Sequence, residues 1–172
     1  MKTILVPIDF SDITLRVLDS AADMAEATGA SVHLLHTVPE KINYASVGEA
    51  PFVDESVKPT DPFTDARERY PKELKQFNTL AESMRSRGVQ TETTFLSGSP
   101  IDAILELIDT KPIDMVVMGS HGHGRLYELI VGSVTESILR RTNIPVLVVP
   151  SRDEVKHPRK SKWSASLAAR SA

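Results

Sequence analysis

Apolar and polar positions along this chain follow two alternating periods. Ile4-Leu5-Val6-Pro7-Ile8 is an almost unbroken apolar run that ends at Asp9, and such a run predicts a strand buried on both faces. The period then changes: Leu15, Leu18, Ala22 and Ala25 recur three and four apart. That spacing gathers them on one face of a helix, with Ser11 expected as its N-cap and Gly29 as its C-cap. A second strand is expected over 32–38. Helical spacing returns at Leu74, Phe77, Leu80, Ala81 and Met84 and is expected to end at Gly88. Residues 89–96 alternate polar and apolar, as a strand nearer a sheet edge does. Ser99-Pro100-Ile101-Asp102 has the marks of a helix start: a capping hydroxyl, proline at the first position and an acid in the first turn. Fourth and fifth strands are expected over 113–118 and 144–149. Between them Ser133-Val134-Thr135-Glu136 has capping-box spacing.

Five strands alternating with helices predict a doubly wound α/β domain, an open parallel sheet covered on both faces. Residues 39–71 interrupt the pattern. They hold five of the eleven prolines and no sustained period, and are expected to form a long loop. Residues 44–65 and the segment 152–172 lack a continuous apolar face and are expected to be mobile without a partner.

Composition narrows the function classes. The 172 residues suit one domain with some spare length, taken here as 1–150 followed by a tail at 151–172. Cysteine is absent, which excludes disulfides, thiolate metal sites and cysteine nucleophiles. The opening apolar stretch is too short for a secretory signal and no run approaches membrane-spanning length, so a cytoplasmic protein is expected. A net charge of −3 exerts no general pull on nucleic acid. The charge is uneven, however. Residues 152–172 carry six Lys/Arg against two Asp/Glu, which leaves the body near −7. A basic tail of this kind is usually only solvated; otherwise it suits an acidic partner or nucleic acid.

Candidate chemistry lies at the strand ends. Open α/β sheets bind ligands beyond the carboxyl ends of their strands, where the winding direction reverses. The first strand ends in Asp9, and the fourth ends in Met118-Gly119-Ser120-His121-Gly122. Glycines at 119, 122 and 132 let backbone N–H groups approach an anion with no Cβ in the way. The helix start at Ser133 adds unsatisfied N–H groups and a positive dipole end, a combination suited to polyphosphate. The hydroxyls of Ser133 and Thr135 are further donors. Neither a phosphate-loop lysine motif nor a dinucleotide glycine fingerprint occurs. His121-x-His123 without a third ligand reads as a polar loop rather than a metal site. His33 and His36 fall in the second strand and read as structural or surface residues.

Gly119-x-x-Gly122, nine residues, then Gly132-Ser133 resembles the ATP-binding signature of the universal stress protein family. The likeness covers roughly 1–150 and includes the opening Ile-Leu-Val-Pro-Ile-Asp, Gly-Ser-Val-x-Glu and the closing Pro-Val-Leu-Val-Val. It implies a strand order of 3-2-1-4-5 and a Rossmann-like fold of the adenine nucleotide alpha hydrolase type. It assigns adenine-side contacts to Pro7, Asp9, Val38 and Met118. It assigns phosphate contacts to Gly119, His121, Gly122, Gly132, Ser133, Val134 and Thr135. His123-Gly124 departs from the family pattern, where Arg or Lys with a small residue is common. The resemblance implies an ATP-binding regulatory or protective module, with Mg2+ as the accompanying ion. A slow ATP-hydrolysing enzyme in the same pocket and a nucleotide-free dimeric scaffold are the alternatives. The missing loop lysine favours binding over turnover. Because the apolar run 144–149 ends the sheet in that order, a homodimer through the fifth strand is expected.

Overall fold

The computed structural model describes residues 2–40, 66–120 and 132–150. Along them run β1 (Thr3–Ile8), α1 (Thr14–Thr28), β2 (Ser31–Val38), α2 (Ala66–Arg69) and α3 (Pro71–Ser86). There follow β3 (Thr91–Ser97), α4 (Pro100–Thr110), β4 (Met115–Gly119), α5 (Ser133–Arg141) and β5 (Val146–Val149). All strand pairs are parallel and the sheet order is β3-β2-β1-β4-β5. The winding direction therefore reverses between β1 and β4.

Strand parity explains the two-layer covering. Ile4, Val6 and Ile8 of β1 join Val17, Leu18, Phe77 and Met84 in one core beneath α1 and α3. Leu5 points the other way and joins Val116, Met118, Ile104 and Ile138 beneath α4 and α5. A strand buried on both faces favours apolar side chains throughout, which is why β1 reads as a continuous apolar run. Each fully buried Leu or Ile contributes roughly 1.5–3 kcal/mol relative to exposure, so both layers hold the sheet firmly.

Several helix ends follow their expected chemistry. Gly29 has φ 67°, the left-handed conformation that ends α1. The Ser99 hydroxyl accepts from the Asp102 N–H at 3.4 Å, with Pro100 at the first helical position.

Others do not. Ser11 is not the N-cap of α1; that position is Ile13, which makes no side-chain cap bond. Ser11 instead takes part in a turn, its carbonyl accepting from the Thr14 N–H at 3.0 Å. Ser133 is not a cap either. Gly132 occupies the N-cap of α5, and Glu136 pairs with Arg140 rather than reaching back. The expected loop 39–71 also ends early, because Ala66–Arg69 is helical and Pro71 opens α3 as a first-turn proline. The segment 44–65 and the tail 151–172, expected to be mobile, lie outside the described residues.

Candidate functional site

The C-terminal end of β1 is shaped by three local interactions. The Ile8 carbonyl accepts a hydrogen bond from Nδ1 of His36 at 2.7 Å, across the β1–β2 register in which these two residues are partners. A carbonyl only accepts, so Nδ1 carries the proton. The Asp9 carboxylate accepts from the Ser11 N–H at 3.0 Å, forming a tight turn over its own backbone. Phe10 between them sits at φ 57°, the left-handed region that non-glycine residues seldom adopt. Its ring lies 4.4 Å from the His36 imidazole, centroid to centroid, and that packing helps hold the strained conformation. The chain thus turns sharply from β1 into α1 and leaves Asp9 at the rim of the sheet.

The end of β4 is built differently. Ser120 donates its N–H to the Val149 carbonyl at 2.8 Å, and Gly132 donates to the Ser120 carbonyl at 2.6 Å. Thr135, 3% exposed, donates its hydroxyl proton to the Gly119 carbonyl at 2.8 Å. Together these bonds fasten the first turn of α5 against the end of β4. They also alter the expected role of Thr135: its proton is engaged within the fold, so it does not serve as an unengaged donor to a phosphate.

A cavity of about 440 Å³ opens over the β1–β4 reversal. That volume lies within the roughly 300–1,000 Å³ usual for small-molecule sites. Seven of the expected residues line it: Pro7, Asp9, Val38 and Met118 from the adenine-side group, and Gly119, Val134 and Thr135 from the phosphate-side group. Gly132 and Ser133 stand at the start of α5 next to this wall but are not part of it. His121 and Gly122 lie outside the described residues. Sequence reasoning missed Ser11 and Thr14 at the entry to α1, and also His36, which lines the cavity as well. A signal for His36 was present, since pairing the two predicted strands in parallel sets residue 36 beside residue 8.

Asp9 is the one carboxylate on the described wall, and no Lys or Arg shares that wall. His36 is buried at 7% exposure, and burial drives its pKa below the ordinary 6.5 against the opposing Ile8 hydrogen bond and the Asp9 and Glu73 charges. Its imidazole is therefore neutral near pH 7, with Nδ1 as donor. His33, deeper in β2, is shifted the same way. Burial is again the main cause, assisted by Lys111 and opposed by Glu92. Its Nε2 lies 2.8 Å from the Thr94 hydroxyl.

The architecture coincides with that of a known group. The model of the universal stress protein family matches residues 1–150. The chain belongs to that family. The universal stress protein YxiE of Bacillus subtilis is 31% identical over 147 residues, covering 84% of this chain and 96% of YxiE. The universal stress protein MJ0577 of Methanocaldococcus jannaschii is 27% identical over 159 residues, covering 88% of this chain and 96% of its own. The solved structure of MJ0577 superposes with a TM-score of 0.69, covering 89% of this chain and 98% of that one. A universal stress protein from Archaeoglobus fulgidus, solved in complex with dAMP, is 22% identical with a TM-score of 0.58, covering 86% and 97% of the two chains. Among the described residues no helix is long and apolar enough to cross a membrane.

Proposed function

We propose that this universal stress protein binds ATP in the cavity over the β1–β4 reversal and acts as a regulatory or protective module in the stress response. The observation that carries this reading is the convergence of Pro7, Asp9, Val38, Met118, Gly119, Val134 and Thr135 on one cavity. Apolar side chains such as Val38 and Met118 offer flat contact to a base. The Asp9 carboxylate repels phosphate and so directs the nucleoside toward β1. The polyphosphate then lies toward the first turn of α5, whose N–H groups and dipole favour anions. The A. fulgidus relative that holds dAMP supports an adenine nucleotide in this fold. Mg2+ would arrive on the phosphates and supply charge neutralisation there. In this reading the protein is a cytoplasmic homodimer.

Calorimetry tests the reading. ATP should bind with a dissociation constant on the order of 1 μM, equivalent to about −8 kcal/mol. Asp9→Ala should weaken binding while the fold is kept. Failure of the parent protein to bind ATP at millimolar concentration sinks the proposal. Turnover at about 1 s⁻¹ or faster would move the protein into the enzyme range.

A further inference from the structure

Thr14 is the first residue of α1 and is 7% exposed. Its Oγ1 is the one buried side-chain nitrogen or oxygen among the described residues that has no hydrogen-bond partner. Other helical threonines behave differently. Thr28, Thr79 and Thr110 each donate to the carbonyl four residues earlier, at 2.7, 3.0 and 2.6 Å. For Thr14 the residue four earlier is Phe10, which lies before the helix in a left-handed conformation. The usual intrahelical acceptor is therefore lost. A buried hydroxyl left unpaired is costly and calls for a partner.

Thr14 forms part of the cavity wall, next to Ser11 and on the same side as Asp9. We propose that Thr14 is a further ligand-binding residue of this site, its hydroxyl forming a hydrogen bond with the nucleoside portion of the bound nucleotide. The inference rests on the nucleotide reading and adds a contact to it. A hydroxyl both donates and accepts, so it suits the mixed donor and acceptor groups of a base edge or a ribose. Threonine occupies two χ1 wells in helices, so turning the hydroxyl toward a ligand is inexpensive. The Asp9 charge at the same end of the cavity disfavours phosphate there, which leaves the nucleoside as the partner.

The test uses Thr14→Val, which removes the hydroxyl and keeps the branched shape, and Thr14→Ser, which keeps the hydroxyl. Calorimetry with ATP and with adenosine is paired with thermal unfolding in the absence of ligand. Thr14→Val should weaken binding of both ligands about fivefold to tenfold, the worth of one net hydrogen bond. Its ligand-free melting temperature should equal or exceed that of the parent, because an orphaned hydroxyl has been removed. Thr14→Ser should bind close to the parent value. If Thr14→Val binds both ligands as tightly as the parent, this inference is overturned and the nucleotide reading stands. A Thr14→Val protein that melts well below the parent, or fails to fold, also overturns it, since the hydroxyl then has a partner within the fold. A parent that binds neither ATP nor adenosine overturns the nucleotide reading and the Thr14 contact together.

Discussion

Thr135 donates to the Gly119 carbonyl at 2.8 Å from a position where water has almost no access. Thr135→Val keeps the shape and removes the donor, so it should cost about 1–3 kcal/mol. The loss should appear as a lower urea midpoint at constant m value, and an unchanged midpoint would show that the bond contributes nothing net. The buried histidines give a second expectation. His33 and His36 both titrate below 6.5 in the folded protein, chiefly through burial, whereas an unfolded chain restores the ordinary value. Below that pH the unfolded state binds protons that the folded state refuses, so stability falls as pH drops from 6.5 toward the folded values. Above 6.5 their contribution is constant. Glu92 is held low by Lys111, and Asp114 by the backbone N–H groups of Thr3 and Lys2; these add losses only below their ordinary 4.5 and 3.8. Urea midpoints should therefore be level between about pH 7 and 8 and begin to fall before the carboxylate range is reached. A flat profile from 7 to 5 would count against the histidine account. At this scale the sequence was partly legible. Asp9, Met118 and Gly119 could be placed at strand ends because those ends follow from apolar runs, and the strand order implied by the family resemblance brought them to one cavity. Thr14 could not, because an unpaired hydroxyl depends on atoms that meet only after folding.

Two helix starts carry serine, and only one of those serines works as a cap. Ser99 accepts from the Asp102 N–H at 3.4 Å, a long bond, so Ser99→Ala should cost toward the low end of the usual range, about 0.5–1 kcal/mol. Ser133 is the first helical residue of α5, behind Gly132 at the cap, and Glu136 bonds Arg140 at 3.0 and 2.9 Å. Ser133→Ala should therefore change stability by less than about 0.5 kcal/mol. Equal losses in the two variants, measured by chemical unfolding, would contradict this distinction. The contrast explains why one start could be read and the other misread. Pro100 tolerates few positions other than the first helical one, which fixes Ser99 before it. Nothing in Gly132-Ser133 fixes the helix start to one residue, and glycine serves nearly as well at a cap. The entry to α1 departs from its expected cap for a related reason: the Asp9 carboxylate bonds the Ser11 N–H and builds a turn there, which delays the helix to Thr14.

At the scale of the whole molecule, periodicity established that the sheet is parallel and covered on both faces, because continuous apolar strands require it. It could not order the strands. That order came from the family resemblance, and the sheet order β3-β2-β1-β4-β5 agrees with it. The order has a consequence for assembly, since it leaves β5 at an edge, paired with β4 on one side only among the described residues. Val146, Leu147 and Val148 remain partly exposed there, and Leu139 on the preceding helix is 45% exposed. A short apolar edge strand of this kind, with no charged residue to discourage pairing, favours addition of a second chain. The simplest closed outcome is a twofold dimer in which the same edge serves both subunits. The parent should therefore run as a dimer at micromolar concentration in light scattering. Val148 stands in register with Met118, so Val148→Lys sets a charge on the face shared with α4 and α5. The variant should give monomer or aggregate, because the partner edge can no longer cover an apolar surface. A parent protein that is cleanly monomeric at that concentration removes the β5 dimer, while leaving the cavity between β1 and β4, which needs no second subunit among its described walls, untouched.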